Sequence, residues 1–381
     1  MTATDHAHPD DDRRFMRHAP ALAERGAGLT SPNPMVGAVV VKDGAAVGEG
    51  FHRRAGGPHA EVEALAAAGE RGRGATLYVT LEPCNHHGRT PPCVEAVRAA
   101  GVARVVAATT DPNPRVAGGG AAALRAAGVR VDVGCLEAEG RALNRVFFTA
   151  TERQRPHVTL KWAMTLDGKI AASDGASRWI TAEAARAEAH RLRSRADAVL
   201  VGIGTALADD PALDVRLGAP WPREPLRVVV DSRARLPAAA RLIGAGTPSR
   251  AVVAIADAAP AERVARLVHR GATVLACKAD GERVDVADLL ARLFAMEVIG
   301  VLVEGGGALH ASFVEAGLVD RVAAFVAPKV VGGATAPTPV SGRGLDLPAA
   351  LALESVTVRP LGSDWLIEGD VARRSAGGGE G

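Results

Sequence analysis

Short runs of aliphatic and β-branched residues alternate with Ala-rich helical segments along nearly the whole chain, and this rhythm constrains the fold more than any other feature. Helical spacing over residues 12–25 leads to a strand at Val36–Lys42, whose Asp43-Gly44 turn feeds Ala45–Phe51 as a hairpin partner. Pro58 opens a helix through His59–Ala68, because proline at the first helical position forfeits no hydrogen bond. Strands at Ala75–Leu81, Val102–Thr109 and Val129–Val133 then alternate with helices at Pro91–Ala100 and Gly119–Ala127, and Glu137–Arg153 carries helical spacing. Strands crossed by helices in this order imply an α/β layer, largely parallel after the initial hairpin.

The polar stretch before Pro156 marks a domain boundary, dividing the chain into residues 1–155 and 156–372, with 373–381 read as a disordered tail. Beyond it strands fit at His157–Ala163, Ala198–Ile203, Leu226–Asp231, Ala251–Ala256, Thr273–Ala276, Val298–Glu304, Arg321–Ala327, Leu353–Val358 and Trp365–Gly369. Helices fit at Thr181–Ser194, Pro260–Arg270, Val286–Met296 and Ala308–Ala316. The last strands lack intervening helices, so the sheet should end antiparallel. A length of 381 residues suits two domains of ~100–200 residues each.

Composition narrows the function classes. Hydrophobic residues at 48% and charged residues at 23% exclude a disordered chain. A net charge of +2 and 3% aromatics argue against a nucleic-acid surface. No secretory signal is visible, no apolar run approaches the ~18 residues that span a bilayer, and four scattered cysteines make no disulfide scaffold. A cytoplasmic location with reduced thiols is expected, and with it no membrane partner.

The chemistry concentrates in GGPHAE (Gly56–Glu61) and LEPCNHHGRTPPC (Leu81–Cys93). One imidazole, His59, and two thiolates, Cys84 and Cys93, leave a tetrahedral zinc with an open position for water, the catalytic pattern. Glu61 has the type and spacing of a carboxylate that shuttles the water proton to a leaving amine. A closed zinc knuckle with His86 or His87 as fourth ligand is the structural alternative, and it leaves Glu61 without a role. The H-x-E…P-C order resembles that of zinc nucleobase deaminases, although eight residues rather than two separate the cysteines.

PNPMVG (Pro32–Gly37), HAEVEAL (His59–Leu65), TLEPCNHHGRTPPC (Thr80–Cys93) and DPNP (Asp111–Pro114) resemble the deaminase half of the bifunctional riboflavin-biosynthesis deaminase/reductases, whose long cysteine insert they share. The resemblance implies His59, Cys84 and Cys93 as ligands of one zinc and Glu61 as proton shuttle. It also implies Asn33, His52, His86, Arg89, Asp111 and Asn113 around a pyrimidine and its ribose phosphate. By residue type alone, Asn33 and the DPNP stretch equally suit turns, and His52 beside Arg53 and Arg54 suits a solvated face. Asn85 stands where the family usually has serine, and Cys135 and Cys277 read as small buried fillers.

In the second half, Gly305–Gly307 follows a strand and opens a helix, and GIGTAL (Gly202–Leu207) follows another without the third glycine of a dinucleotide fingerprint. Either run alone equally fits a tight turn. Together with KWAMTLDGK (Lys161–Lys169), SRWIT (Ser177–Thr181), GTALADDPALDVR (Gly204–Arg216) and VDS (Val230–Ser232), they resemble the reductase half of the same family. That half implies a dihydrofolate-reductase-like fold using NADPH, with Ala163, Trp179, Thr205, Asp209, Ser232, Gly305, Gly306 and Gly307 at the cofactor. Ser177, Arg193, Leu213, Arg216 and Glu304 are implied at the substrate, and Lys161 at the sugar being reduced. The guanidinium fork suits phosphate, which singles out Arg193 and Arg216.

The expected architecture is therefore α/β in two domains: an N-terminal cytidine-deaminase-like α/β/α layer and a C-terminal dihydrofolate-reductase-like domain. The resemblance implies zinc-dependent deamination of 2,5-diamino-6-(5-phosphoribosylamino)pyrimidin-4(3H)-one. NADPH-dependent reduction then gives 5-amino-6-(5-phosphoribitylamino)uracil. It further implies a homodimer formed through the reductase domain. A nucleic-acid or free-base zinc deaminase with an accessory nucleotide-binding domain is the rival, opposed by the near-neutral charge and the cysteine insert. A structural zinc domain joined to a binding module is a second rival, opposed by Glu61.

Overall fold

Along β1 (Gly37–Lys42) the pleat sends Val39 and Val41 to one face and Ala38 and Val40 to the other, and both sets are buried. A strand buried on both faces sits inside a layered sheet, and the computed structural model shows that arrangement. It describes residues 9–88, 90–114, 116–244 and 251–372, and the chain divides into two compact units between Gln154 and Arg155. The expected tail at 373–381 lies outside the described residues.

In the first unit β1 pairs antiparallel with both β2 (Ala45–Phe51) and β3 (Thr76–Val79). Strands β4 (Arg104–Ala107) and β5 (Arg130–Val133) continue the sheet in parallel, in the order β2-β1-β3-β4-β5. Helix α1 (Asp10–Ala23) lays Met16, Ala19 and Leu22 on the Val39 face. Helices α2 (Ala60–Ala68), α3 (Cys93–Ala99) and α4 (Gly119–Ala126) cover the Ala38 face, with Ala60, Ala64, Val97 and Leu124 buried there.

The single helix expected over Glu137–Arg153 is two, α5 (Glu137–Leu143) and α6 (Arg145–Arg153). Asn144 separates them because its side chain is used elsewhere. The amide accepts from the Met35 N–H and donates to the Met35 carbonyl, each at 2.8 Å.

The second unit is built on nine strands: β6 (His157–Thr165), β7 (Ala198–Gly202), β8 (Leu226–Val230), β9 (Ala251–Ala256), β10 (Thr273–Cys277), β13 (Gly300–Gly305), β14 (Arg321–Ala327), β15 (Leu353–Leu361) and β16 (Asp364–Val371). Their order is β10-β9-β8-β7-β13-β6-β14-β16-β15, parallel as far as β14 and antiparallel at the end, as the missing helices imply.

Leu200, Val228 and Val252 meet Leu289 and Leu293 of α10 (Val286–Ala295) and Phe313 of α11 (Gly307–Glu315) on one face. Val199, Val229 and Val253 meet Leu267 of α9 (Ala261–His269) on the other. Helix α7 (Glu183–Arg195) matches its expected span closely, whereas α8 (Ile203–Asp209) falls on the glycine run, where no helix was expected. Gly204 inside α8 costs ~1 kcal/mol of helix propensity, so the sequence carried no helical signal there. A short hairpin, β11 (Ala279–Asp280) with β12 (Arg283–Val284), was likewise unforeseen.

Parallel strands deliver their carboxyl ends to one edge, where α/β sheets bind ligands. Gly202–Thr205 after β7, Asp231–Arg235 after β8 and Gly305–Gly307 after β13 all emerge there. In the first unit the decisive contact is α2 on β2. A Cβ at Gly48 would stand 2.3 Å from the Ala64 carbonyl oxygen, and one at Gly50 would stand 2.4 Å from the Ala64 nitrogen. Only glycine admits backbone against backbone there.

Gly50→Ala should therefore destabilise the first unit by ~1–3 kcal/mol through overpacking. Denaturant unfolding measures this, and an unchanged midpoint would contradict the close approach.

Candidate active sites

The close seating of α2 places its first residues beside two other chain segments. His59 occupies the N-cap position of α2, extended at φ −76° and ψ 160°, and Glu61 is the second residue of the helix. Cys93 is the first residue of α3, and Cys84 lies in the loop after β3. His59 Nδ1 lies 3.0 Å from Cys93 Sγ and 3.6 Å from Cys84 Sγ, and the three donor atoms fall within 4.8 Å of one another.

The electrostatics fit a metal. The Cys93 thiol hydrogen-bonds the Cys84 sulfur and draws its pKa down to about 4, while the same shared proton and then burial push Cys93 far above the thiol range. The Cys93 backbone N–H also donates to Cys84 Sγ at 3.4 Å. One imidazole with two sulfurs this close is a zinc donor set, and a cation in place of the shared proton would hold both sulfurs as thiolates. Glu61 is only 3% exposed, and burial raises its pKa against the opposing charge of His59, the condition a carboxyl needs to carry protons near neutral pH.

Around this cluster, His52 is buried rather than solvated. Its Nδ1–H donates to the Pro58 carbonyl at 2.9 Å, so Nε2 accepts from Asn33 Nδ2 at 3.2 Å, and its ring meets His59 edge-on at 5.3 Å. Asp111 is buried and pushed up to about 6, first by desolvation and then by the charge of Glu82; its Oδ1 accepts the Asn113 N–H at 2.8 Å. His86 and His87 are exposed, and His87 faces Glu95 at 3.7 Å, so neither stands with the three donors. Arg89 lies outside the described residues.

Two residues that the motifs did not single out organise this site. Glu82, buried, accepts backbone N–H groups of Gly118 and Ala121 at 2.9 Å and of Asp111 at 3.3 Å, tying the Cys84 loop to the DPNP turn and the start of α4. Thr90 Oγ1 lies 3.2 Å from His59 Nε2. Nothing in residue type marks either one, because both act through fold-dependent contacts.

In the second unit a cavity of 480 Å³ opens at the carboxyl edge, lined by Lys161, Ala163, Ser177, Trp179, Leu213 and Arg216 among others. A neighbouring cavity of 830 Å³ shares Ser177, Thr205, Asp209 and Gly306 with it and extends past Gly307 to Ser232. Every cofactor and substrate residue implied for this half therefore lines one cavity or the other. Gly305 adopts φ +145°, and the Gly306 N–H donates to Thr205 Oγ1 at 3.0 Å, which holds the glycine turn against α8.

Glu304 is the charge centre. Arg193 grips it through Nε at 2.5 Å and Nη2 at 2.8 Å, and Lys161 Nζ stands 3.7 Å away. Arg193 Nη1 also donates to the Asp214 carbonyl at 3.0 Å, so its fork is committed to the protein while Arg216 is the more open arginine. Burial alone would raise the Glu304 pKa, but Arg193 and then Lys161 outweigh it and hold the group at about 2. Lys161 is lowered by its own burial and by Arg193, with Glu304 opposing. The sequence reading missed His190, whose Nδ1 accepts the Arg216 N–H at 3.2 Å, and Arg235 and Arg283 in the larger cavity.

Comparison with known proteins agrees with this geometry. Residues 9–109 match the family described as the cytidine and deoxycytidylate deaminase zinc-binding region, and residues 156–367 match the RibD C-terminal domain. The riboflavin biosynthesis protein RibD of Actinobacillus pleuropneumoniae is 44% identical over 359 residues, covering 94% of each chain. That of Aquifex aeolicus is 44% identical over 356 residues, covering 93% of this chain and 97% of its own. The structure of Acinetobacter baumannii RibD superposes with a TM-score of 0.83 at 37% identity, over 95% of this chain and 99% of that one. A diaminohydroxyphosphoribosylaminopyrimidine deaminase/5-amino-6-(5-phosphoribosylamino)uracil reductase of Thermotoga maritima reaches 0.82 at 38%, with the same coverage.

Because Glu304 falls from an ordinary 4.5 to about 2 in the folded chain, the unfolded state binds more protons between those values. Its contribution is thus complete above 4.5 and is lost as pH falls toward about 2. Glu304→Gln should cost ~3–5 kcal/mol at neutral pH by stranding Arg193 and Lys161. The gap between variant and wild type in denaturant unfolding should shrink as pH drops through that window; a gap independent of pH would contradict the assignment.

Proposed function

The chain belongs to the RibD family, bifunctional deaminase/reductases of riboflavin biosynthesis, and we propose how its own residues divide the two reactions. The enzyme deaminates 2,5-diamino-6-(5-phosphoribosylamino)pyrimidin-4(3H)-one and reduces the ribosyl chain to give 5-amino-6-(5-phosphoribitylamino)uracil. The observation that carries the assignment is the convergence of His59, Cys84 and Cys93 beside buried Glu61 in one unit, with Lys161, Glu304 and Arg193 at the cavity of the other. Residues 1–155 serve the first reaction and 156–372 the second.

His59 Nδ1 and the two sulfurs would hold zinc, which would supply a water whose pKa is lowered to ~7. Glu61 takes a proton from the attacking water and delivers it to the ring nitrogen, then takes a second from the newly added hydroxyl and delivers it to the amine, which leaves as ammonia when the C–N bond breaks. The buried Asn33–His52 pair and Asp111 offer donors and acceptors of fixed direction, which suits a flat polar ring and disfavours analogues lacking its substituents. Asn113 and His86 flank the ribose phosphate.

The glycine turn Gly305–Gly307 with Thr205, Asp209, Trp179, Ala163 and Ser232 would hold and orient NADPH, which would supply the hydride of the second step. Lys161 donates the proton to the sugar oxygen as the ring opens, and Glu304 keeps the ammonium in place. Ser177, Leu213 and Arg216 bound the substrate, with Arg216 as the phosphate contact. Arg235 and Arg283, at the Ser232 end of the larger cavity, supply the cations for the cofactor 2′-phosphate; Arg235 is only loosely paired, 3.9 Å from Asp231, whereas Arg233 pairs with Glu282 at 2.7 Å. Among the described residues no helix is long and apolar enough to cross a membrane. Cytoplasmic residence and pairing of two reductase units complete the reading, the exposed Val356 and Val358 of edge strand β15 supporting the latter.

Glu61→Gln should keep its zinc and lower ammonia release by ~10²–10⁴-fold, while NADPH oxidation on pre-deaminated substrate stays at the wild-type rate. Substantial residual deamination would overturn the role of Glu61. Arg235→Ala and Arg283→Ala should weaken NADPH binding by roughly 10–100-fold and leave NADH binding unchanged. Equal losses for both nucleotides in a fluorescence titration would remove these arginines from phosphate recognition.

A further inference from the structure

The stretch between the two cysteines is eight residues long, where two would suffice to place a second sulfur. What the added length does is visible in its last turn. Gly88 N–H donates to the Thr90 carbonyl at 3.2 Å, folding the loop back, and Pro91 and Pro92 connect Thr90 rigidly to Cys93 at the start of α3. This carries Thr90 Oγ1 to 3.2 Å from His59 Nε2, the ring nitrogen facing away from the sulfurs.

We propose that Thr90 is a positioning residue for the metal centre: its hydroxyl accepts the His59 Nε2–H and so holds the imidazole in the tautomer and orientation that present Nδ1 beside Cys84 and Cys93. The proposal rests on the zinc reading above. Its physical basis is that an imidazole binding metal through Nδ1 has one ring proton left, on Nε2, and that proton needs an acceptor. An oriented acceptor fixes the ring and raises the basicity of the ligating nitrogen. His52 cannot serve, because its own nitrogens are taken by Pro58 and Asn33 and it meets His59 through the ring. The long insert thereby supplies both the acceptor and, three residues later, a ligand. Thr90 acts through His59 and touches no reacting atom.

The experiment measures zinc affinity of the full-length chain by competition with a chromophoric chelator, alongside the rate of zinc loss to excess chelator. Thr90→Val keeps the shape and removes the acceptor, and it should lose 10–100-fold in affinity and release zinc correspondingly faster. Thr90→Ser restores the hydroxyl and should return to within a few-fold of wild type. The ¹⁵N signals of His59 in the zinc-loaded protein should report an Nε2–H hydrogen bond in wild type and Thr90→Ser, and its loss in Thr90→Val. NADPH oxidation on pre-deaminated substrate and the melting of the zinc-free chain should be unchanged. Wild-type affinity in Thr90→Val, an equal loss in Thr90→Ser, or a zinc-free chain of Thr90→Val already unfolded would each overturn the proposal. A wild-type chain that binds no zinc would overturn the metal reading along with it.

Discussion

Backbone contact between α2 and β2 is the constraint from which the hydrolytic site follows. Gly48 and Gly50 occupy one face of β2, two residues apart, and the Ala-rich helix rests on them without side chains between. That seating fixes where α2 begins, and its first turn carries His59 and Glu61. The two remaining donors arrive on segments that do not neighbour it in sequence. Cys84 is held by the Glu82 carboxylate, which binds the start of α4 and the DPNP turn, and Cys93 is held by entry into α3. Closeness of the frame and placement of the ligands are thus one fact.

The reductive site solves a different problem, that of keeping cations under control away from water. Lys161 and Arg193 share Glu304 as counter-charge within a wall of parallel strands. A carboxylate so held stays ionised to low pH, with the Lys161 ammonium 3.7 Å away. Arginine committed in this way organises charge, while Arg216, Arg235 and Arg283 stand at the cavity walls.

Much of this was legible in the chain. The strands of both sheets and the antiparallel end follow from periodicity and turn residues, and ligand spacing singles out His59, Cys84 and Cys93, whose donor atoms the structure brings within 4.8 Å of one another. What escaped had no local signal. Asn144 breaks a helix through a bond to Met35, more than a hundred residues away. Helix α8 hides behind Gly204, and Glu82, Thr90 and His190 look like ordinary polar residues until their partners are seen. The reading of His52 as a solvated residue was equally open from sequence, since the adjacent Arg53 and Arg54 are exposed and only the fold buries their neighbour.

The sequence by itself determined the alternation that builds two α/β units and the residue types that bring zinc-type, carboxylate and glycine-turn chemistry, because these depend on side chains and spacing within short stretches. Only the tertiary structure decided which atoms meet. Convergence of His59 Nδ1 with two sulfurs, commitment of Arg193 to Glu304, and the return of Thr90 onto His59 are contacts between segments tens to a hundred residues apart. Such contacts are set by how layers pack, and packing depends on all the residues of an interface at once.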